Sequence, residues 1–427
     1  MSDLAGQLDI TLLARGPTPA ARIQSSRPVT AARVFDGKRV ATVASQLPLL
    51  YSVCGTAQGL ACVRACEAAL GLAPAPSAQA ARDLLLRAET VKEHLWRLLL
   101  DWPRALAALG VAAPVPPPGA DAAHESAIAG ALRAFLTLRA TLATHGDPFL
   151  PGARSTRPVP ALLESAAGTL ATIAAEWIFG APPADWLAAT CTEADLTRWA
   201  ATGSTPAAGL ARALQAGGLA DLGRCEVGVL PAEQADGNLD PDLLRRLATA
   251  LAAPDADAFV GAPTLDGWPT ETTPFSRELG RGELVAALAA HHGNGLLPRL
   301  AALLVELARA SAALAAPARE AAAPLGAGFA LASGNHHRVG IGAAPAARGL
   351  LVHRVDVDTG GAPESACVMG YRILAPTEWN FHPQGVVATA LSALARDAGG
   401  GDALLAAHAG LVITAVDPCV EYCMSVC

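Results

Sequence analysis

Six of the nine cysteines fall in two clusters at opposite ends of the chain. The front cluster, VCGTAQGLACVRACE, holds Cys54, Cys62 and Cys66; the tail, DPCVEYCMSVC, holds Cys419, Cys423 and Cys427. Thiolates are soft ligands for nickel, zinc and iron, and cysteines three or four apart can reach one ion. In the tail they recur every fourth residue and would line one face of a helix. Three thiols in nine residues read either as ligands or as a fraying chain end. Cys62 and Cys66, set among Leu, Ala and Val, read as buried structural thiols, as do the isolated Cys191, Cys225 and Cys367. The tandem histidines His291-His292 and His336-His337 sit near glycines and read as solvated. His382, between an aromatic and a proline, is placed to contact a buried site. Neither a nucleophile elbow, a phosphate-binding loop, an HExxH helix nor a dinucleotide glycine fingerprint is present. GIGAAPAARG, Gly340 to Gly349, precedes a strand instead of a helix and so lacks the geometry for phosphate.

Positioning such residues falls to a chain of 427 residues that is 52% hydrophobic, 16% charged and 4% aromatic. Abundant Leu and Ala point to helix packing, and a net charge of −7 offers no basic face for nucleic acid. ARVFDGKRVATV, Ala32 to Val43, alternates around Asp36-Gly37 and reads as a hairpin. A long helix follows, capped by Ser77, with the stripe Leu84, Ala88, Val91, Leu95, Leu99 and Trp102 and an outward Glu93–Arg97 pair. Pro103 and the run Val111 to Ala120 interrupt it. Helical patterns return at 123–145, 161–179 and 206–216, the last capped by Thr205 and closed by Gly217. A strand-rich zone runs from Gly328 to Leu374, with two alternating segments joined by a Gly-rich turn. The class expected is mainly α with smaller β regions, α+β, in a single domain over residues 1–427. The stretch Gly295 to Gly326 is broken by charges and reads as an amphipathic helix, not a membrane span. The N-terminus lacks the basic-then-apolar order of a signal peptide, and sparse cysteines suit a reducing compartment, so a cytoplasmic location is expected.

Four segments, in order, resemble the large subunit of nickel–iron hydrogenases. They are CGTAQGLACVRACEAALG from Cys54, ETTPFSR from Glu271, GIGAAPAARGLLVH with YRILAPTEWNFHP, and the terminal DPC. The resemblance implies a hydrogenase large-subunit-like fold spanning nearly the whole chain. It also implies metal ligands at Cys54 and Cys419, which stand at the first positions of that family's two CxxC pairs. The second positions are lost: Ala57 stands in the front one and Tyr422 in the rear one, with Cys423 one residue late. Gln58 falls where the family has a histidine, Ser425 where it has the final histidine, and Pro345 and Ala347 where it has Glu and Pro.

The missing thiolates remove the bridges that hold two metals together, so nickel is not expected. Arg348 and Thr377 match the positions that donate to the cyanide ligands of the family's iron. Two thiolates beside such a pocket resemble the HupK/HoxV-type proteins, hydrogenase-like maturation factors. The resemblance implies a non-catalytic scaffold holding an Fe(CN)₂CO unit transiently, with Cys54, Cys419 and Cys423 as metal residues and Arg348, Thr377 and Gln58 around the ligands. Its implied partners are a small HypC-type chaperone and the hydrogenase large-subunit precursor, with neither nucleic acid nor membrane. A divergent hydrogenase using Cys423 and Cys427, and a metal-free docking subunit, are the alternatives. Only two residues follow Ser425, so no terminal trimming is expected, and leucine at Arg348 is expected to spare the fold.

Overall fold

The alternating apolar residues from Gly328 to Leu374 build a four-stranded antiparallel sheet in the order β5-β6-β7-β8. Its strands are β5 (Gly328–Leu331), β6 (His337–Ala346), β7 (Gly349–Asp358) and β8 (Cys367–Leu374). Alternation places Leu351, Val355 and Val357 on one face and Leu350 and Val352 on the other, and both faces are buried. The computed structural model describes residues 6–15, 19–110, 120–144, 146–154, 160–231, 239–316, 328–331, 336–397 and 401–427. The proline-rich run from Val111 and the end of the stretch to Gly326 lie outside the described residues.

Ahead of that sheet come β1 (Leu8–Leu13) and β2 (Ala20–Ser25), an antiparallel pair, then α1 (Val40–Leu50) and α2 (Gly55–Leu70). Next are α3 (Pro76–Trp96), α4 (Trp102–Ala107), α5 (Ala120–Ala143) and α6 (Pro160–Ala174). They are followed by α7 (Pro183–Ala189), α8 (Glu193–Thr202) and α9 (Pro206–Ala216). A short parallel pair, β3 (Gly228–Val229) and β4 (Thr270–Glu271), brackets α10 (Pro241–Ala250) and α11 (Ala256–Gly261). Before the sheet lie α12 (Pro274–Glu278), α13 (Glu283–His292) and α14 (Leu296–Ala315). After it come α15 (Pro376–Asn380), α16 (Val386–Arg396), α17 (Asp402–Val416) and β9 (Tyr422–Val426). Two stretches, His124–Ala143 in α5 and Ala161–Phe179 over α6 and the π turn that follows it, are long and apolar enough to cross a membrane by length and composition. Here Ala131, Leu138, Leu142 and Leu170 pack one face of these helices on the core with α3 and α14, while Leu132, Leu136 and Leu162 on the other side are exposed.

Several local expectations give way to tertiary packing. Ala32–Val43 is not a hairpin: a 3₁₀ turn spans Ala31–Phe35 and α1 begins at Val40. Val40, Val43, Ala44 and Leu47 are buried at helical spacing, and Gly37 and Lys38 exchange backbone hydrogen bonds with Val368 of β8 instead. Ser77 does not cap α3; Pro76 occupies the first turn and Ala75 the cap. Pro103 does not break the helix, because a π turn at Arg97–Asp101 leads into α4 with the proline in its first turn, where no N–H is needed. Glu93 and Arg97 do not pair outward; both point inward to other partners. His291 and His292 end α13 paired with Glu193, His292 also meeting Asp221. The tail is not a helix: β9 pairs parallel with β1, with Cys423 opposite Asp9. Met424 and Val426 pack on the core from one face, which turns Cys423 and Cys427 outward, exposed.

Helix α2 is pressed onto the sheet. A Cβ at Gly340 would lie 2.0 Å from the Ala65 carbonyl oxygen, and one at Gly342 2.3 Å from that of Ala61. Only glycine lets helix backbone and strand backbone approach this closely. The Gly340-x-Gly342 pair is thus a packing surface. It fixes the helix whose first residue follows Cys54.

Candidate functional site

Cys54 ends a short 3₁₀ turn and stands at the N-cap of α2. Its own side chain does not cap the helix. Glu89, buried on α3, accepts from the backbone N–H groups of Thr56 and Ala57 at 2.7 and 3.0 Å. A carboxylate there satisfies two of the four free donors at the helix start and meets the positive end of its dipole. One turn on, Gln58 turns its amide Nε2 toward the Cys54 sulfur at 3.7 Å, and its buried Oε1 has no partner among the described residues.

Cys419 arrives from the other end of the chain. Helix α17 stops at Val416, Asp417 turns the backbone left-handed at φ 66°, and Pro418 prevents the helix resuming. The sulfur of Cys419 then meets two donors. The Arg27 guanidinium, just past β2, donates from Nη1 at 2.8 Å, and Thr377 Oγ1 lies at 2.9 Å. Thr377 Oγ1 also accepts from the Cys419 backbone N–H at 3.3 Å, which leaves its own proton for the sulfur. Arg27 is held by Glu378, 2.8 Å from Nε. Burial works against the Arg27 charge, but Glu378 and Cys419 outweigh it and raise its pKa.

The two cysteines are electrostatic neighbours. Burial first, then Cys419 and Glu89, push the Cys54 thiol up to about 12, while Arg348 and Gln58 pull the other way. At neutral pH this favours the neutral thiol at Cys54. Arg348, in the turn between β6 and β7, donates from Nη1 to Glu93 at 3.0 Å and pairs through Nε with Asp417 at 3.0 Å. Burial disfavours its charge, yet Asp417 and Glu93 raise its pKa overall. Its position is set by Asn380, whose amide bonds the backbone of Thr272 in both directions and reaches the Arg348 carbonyl. Gly349, at φ 141°, would place a Cβ 2.1 Å from the Thr272 carbonyl oxygen. The ETTPFSR, PAARG and PTEWN segments thus form one joint.

A cavity of about 760 Å³ opens beside this joint, with Cys419, Arg348, Asp417, Arg97 and Arg104 in its wall. A second, of about 300 Å³, shares Arg348 and is rimmed by Val53, Trp96 and Leu132. Among the described residues, no group of three or more His, Cys, Asp or Glu side chains is placed to hold a metal ion. A bare ion such as zinc wants four ligands. Two thiols with cationic donors behind them suit a metal unit that carries the rest of its coordination shell, including anionic ligands, with it.

Of the residues expected from sequence, the structure brings together Cys54, Cys419, Gln58, Arg348 and Thr377. Cys423 lies apart, exposed on β9. His382 turns inward on its own loop and accepts from the Gln384 N–H. Sequence reading missed Arg27, Glu89, Glu93 and Asp417. Only Asp417 had a signal, as the first letter of DPC. Arg348 also has a partner the sequence did not supply, two carboxylates in place of an anionic ligand.

The fold is that of nickel–iron hydrogenase large subunits. The chain superposes on an NAD⁺-reducing [NiFe]-hydrogenase with a TM-score of 0.62 and 16% identity, covering 94% of this chain and 92% of that one. On the Ni-Fe-Se hydrogenase of Desulfovibrio vulgaris Hildenborough the TM-score is 0.60 at 15% identity, covering 95% and 94%. No family model matches the chain. It is 32% identical to the hydrogenase expression/formation protein HoxV of Cupriavidus necator, over 94% of this chain and 91% of the relative. It is 31% identical to the corresponding HupK of Azotobacter vinelandii, over 98% of both. The chain belongs to the HupK/HoxV family of hydrogenase expression/formation proteins.

Proposed function

We propose that this protein serves hydrogenase maturation as a non-catalytic scaffold, holding the Fe(CN)₂CO fragment between Cys54 and Cys419 before passing it to the hydrogenase large-subunit precursor. The observation that carries the reading is the convergence of two thiols from opposite ends of the chain, with Arg27, Arg348 and Thr377 behind them. The fragment is cargo: it arrives with three diatomic ligands, so two sulfurs suffice to hold it where a bare ion would be under-coordinated. Thr377 and the cationic side chains face the anionic cyanides, for which charge-assisted donors are the strongest partners. Ala57 and Tyr422, in place of second cysteines, leave no bridge for a nickel ion, which supports a chain without hydrogen turnover. A small HypC-type chaperone is the proposed donor and the cytoplasm the proposed compartment.

The test is elemental analysis and infrared spectroscopy of protein purified anaerobically from cells making hydrogenase. Iron without nickel, with bands in the cyanide and carbonyl region, is expected, and hydrogen uptake is expected to be nil. Nickel with iron and turnover would make the chain an enzyme. Protein without metal or diatomic bands would make it a docking subunit.

A further inference from the structure

The sulfur of Cys419 is already engaged before any cargo reaches it. Arg27 Nη1 lies 2.8 Å away and Thr377 Oγ1 2.9 Å away, so two of its electron pairs face hydrogen-bond donors. One of these donors carries a full charge, and that charge is anchored. Arg27 is held from Nε by Glu378, whose side chain is 9% exposed. Cys54 has a different environment: among the described residues its one side-chain donor is the neutral amide of Gln58 at 3.7 Å. The two sulfurs of the site are therefore unequal ligands.

Resting on the proposed cargo, we infer that Arg27 is a positioning residue that weakens the bond between Cys419 and the iron fragment and so makes Cys419 the sulfur from which the fragment is released. An N–H···S hydrogen bond from a guanidinium draws electron density from a thiolate and lowers its donation to a metal, as outer-shell donors do at metal centres generally. Cys54, lacking a charged donor in contact, binds more strongly and anchors the fragment until last. Transfer is then a ligand exchange. The Cys419 sulfur–iron bond breaks as a bond to one thiolate of the receiving protein forms, and the Cys54 sulfur–iron bond then breaks as a second receiving thiolate takes its place. The fragment keeps its diatomic ligands and its oxidation state, and the Cys419 thiolate left behind is stabilised by the Arg27 and Thr377 contacts already in place. Without such a donor the same two thiolates would make a storage site.

The test compares wild-type protein with Arg27→Gln and Arg27→Lys, each purified loaded from cells and followed by infrared spectroscopy. Removing the charge makes the sulfur a better donor, so the carbonyl band of Arg27→Gln is expected to move to lower wavenumber, with Arg27→Lys returning it toward wild type. Loss of the bands from the protein fraction, desalted at intervals after addition of millimolar glutathione as a competing thiol, should slow about tenfold or more in Arg27→Gln, a factor that corresponds to about 1.4 kcal/mol. Because Arg27→Gln leaves Glu378 without its partner, the double variant Arg27→Gln/Glu378→Gln is measured beside it and should show the same shift and slowing. Bands that stay in place with unchanged release in a folded variant overturn the inference and leave the cargo intact. Wild-type protein without bands overturns the reading beneath it.

Discussion

Replacing Arg348 with leucine should unfold more of this protein than its sequence suggests. A buried arginine is seldom a net stabiliser against a well-packed apolar side chain, which is why a leucine there was expected to be tolerated. The structure reverses that expectation, because Arg348 bridges two acids that are themselves only 12% and 15% exposed, Glu93 and Asp417. Breaking a buried pair by removing one partner costs about 3–5 kcal/mol. Here two pairs break at once. Glu93 keeps Lys92 at 2.6 Å and Asp417 keeps Arg97 at 2.7 Å, so the loss should stay near that of a single broken pair. At roughly 2 °C per kcal/mol for a large domain, the melting temperature should fall by about 6–10 °C. The triple variant Arg348→Leu/Glu93→Gln/Asp417→Asn neutralises both acids but takes partners from Lys92 and Arg97, so it should recover part of the loss. Thermal unfolding followed by circular dichroism measures both. A single variant melting within about 2 °C of wild type, or a triple variant no better than the single, would refute the reasoning. The recovered triple variant is also the proper background for asking what the guanidinium does for cargo, since its fold is not in question.

Three further outcomes are expected. Gly342→Ala would drive a Cβ to 2.3 Å from the Ala61 carbonyl oxygen, so α2 must leave the sheet. The protein should lose about 1–3 kcal/mol or more, and ordinary expression with an unchanged melting curve would contradict this. Cys419→Ser should abolish iron retention while the melting temperature stays within a few degrees, because Cys419 is partly exposed and packs little apolar surface; iron at wild-type occupancy would remove Cys419 from the site. Glu278 is buried with Arg309 and Arg281 as its ion partners, and burial raises its carboxyl to about 7. In the unfolded chain it ionises near 4, so the folded state binds the extra proton between those values. Its stability contribution is therefore complete below about pH 4 and lost as pH rises to about 7, a difference of roughly 3 kcal/mol. Glu278→Gln should flatten that decline, and parallel stability–pH curves for variant and wild type would count against it.

Some of this protein was settled by its sequence alone, and some was not. Local order was legible. The alternation from Gly328 to Leu374 became a sheet with both faces buried, and Thr205-Pro206 with Gly217 bounded α9 as their chemistry requires. The four segments that resemble hydrogenase large subunits correctly announced the fold, because their glycines, asparagine and proline serve one backbone joint. Cys54, Cys419, Gln58, Arg348 and Thr377 were picked the same way, and the structure sets Thr377 beside the Cys419 sulfur and Gln58 beside that of Cys54. What the sequence could not supply were the partners. Arg27, Glu89, Glu93 and Asp417 are ordinary charged residues, two of them on α3 and the others just past β2 and α17, and apart from Asp417 in DPC nothing in their spacing relates them to a cysteine up to 392 residues away. The tail shows the same limit from the other side. Its cysteines recur with helical spacing, yet an unpaired edge of β1 was waiting for a strand, and ladder hydrogen bonds outweighed local periodicity. Periodicity is a property of neighbours along the chain. Charge pairing and strand pairing depend on neighbours in space, and only the tertiary structure chooses those.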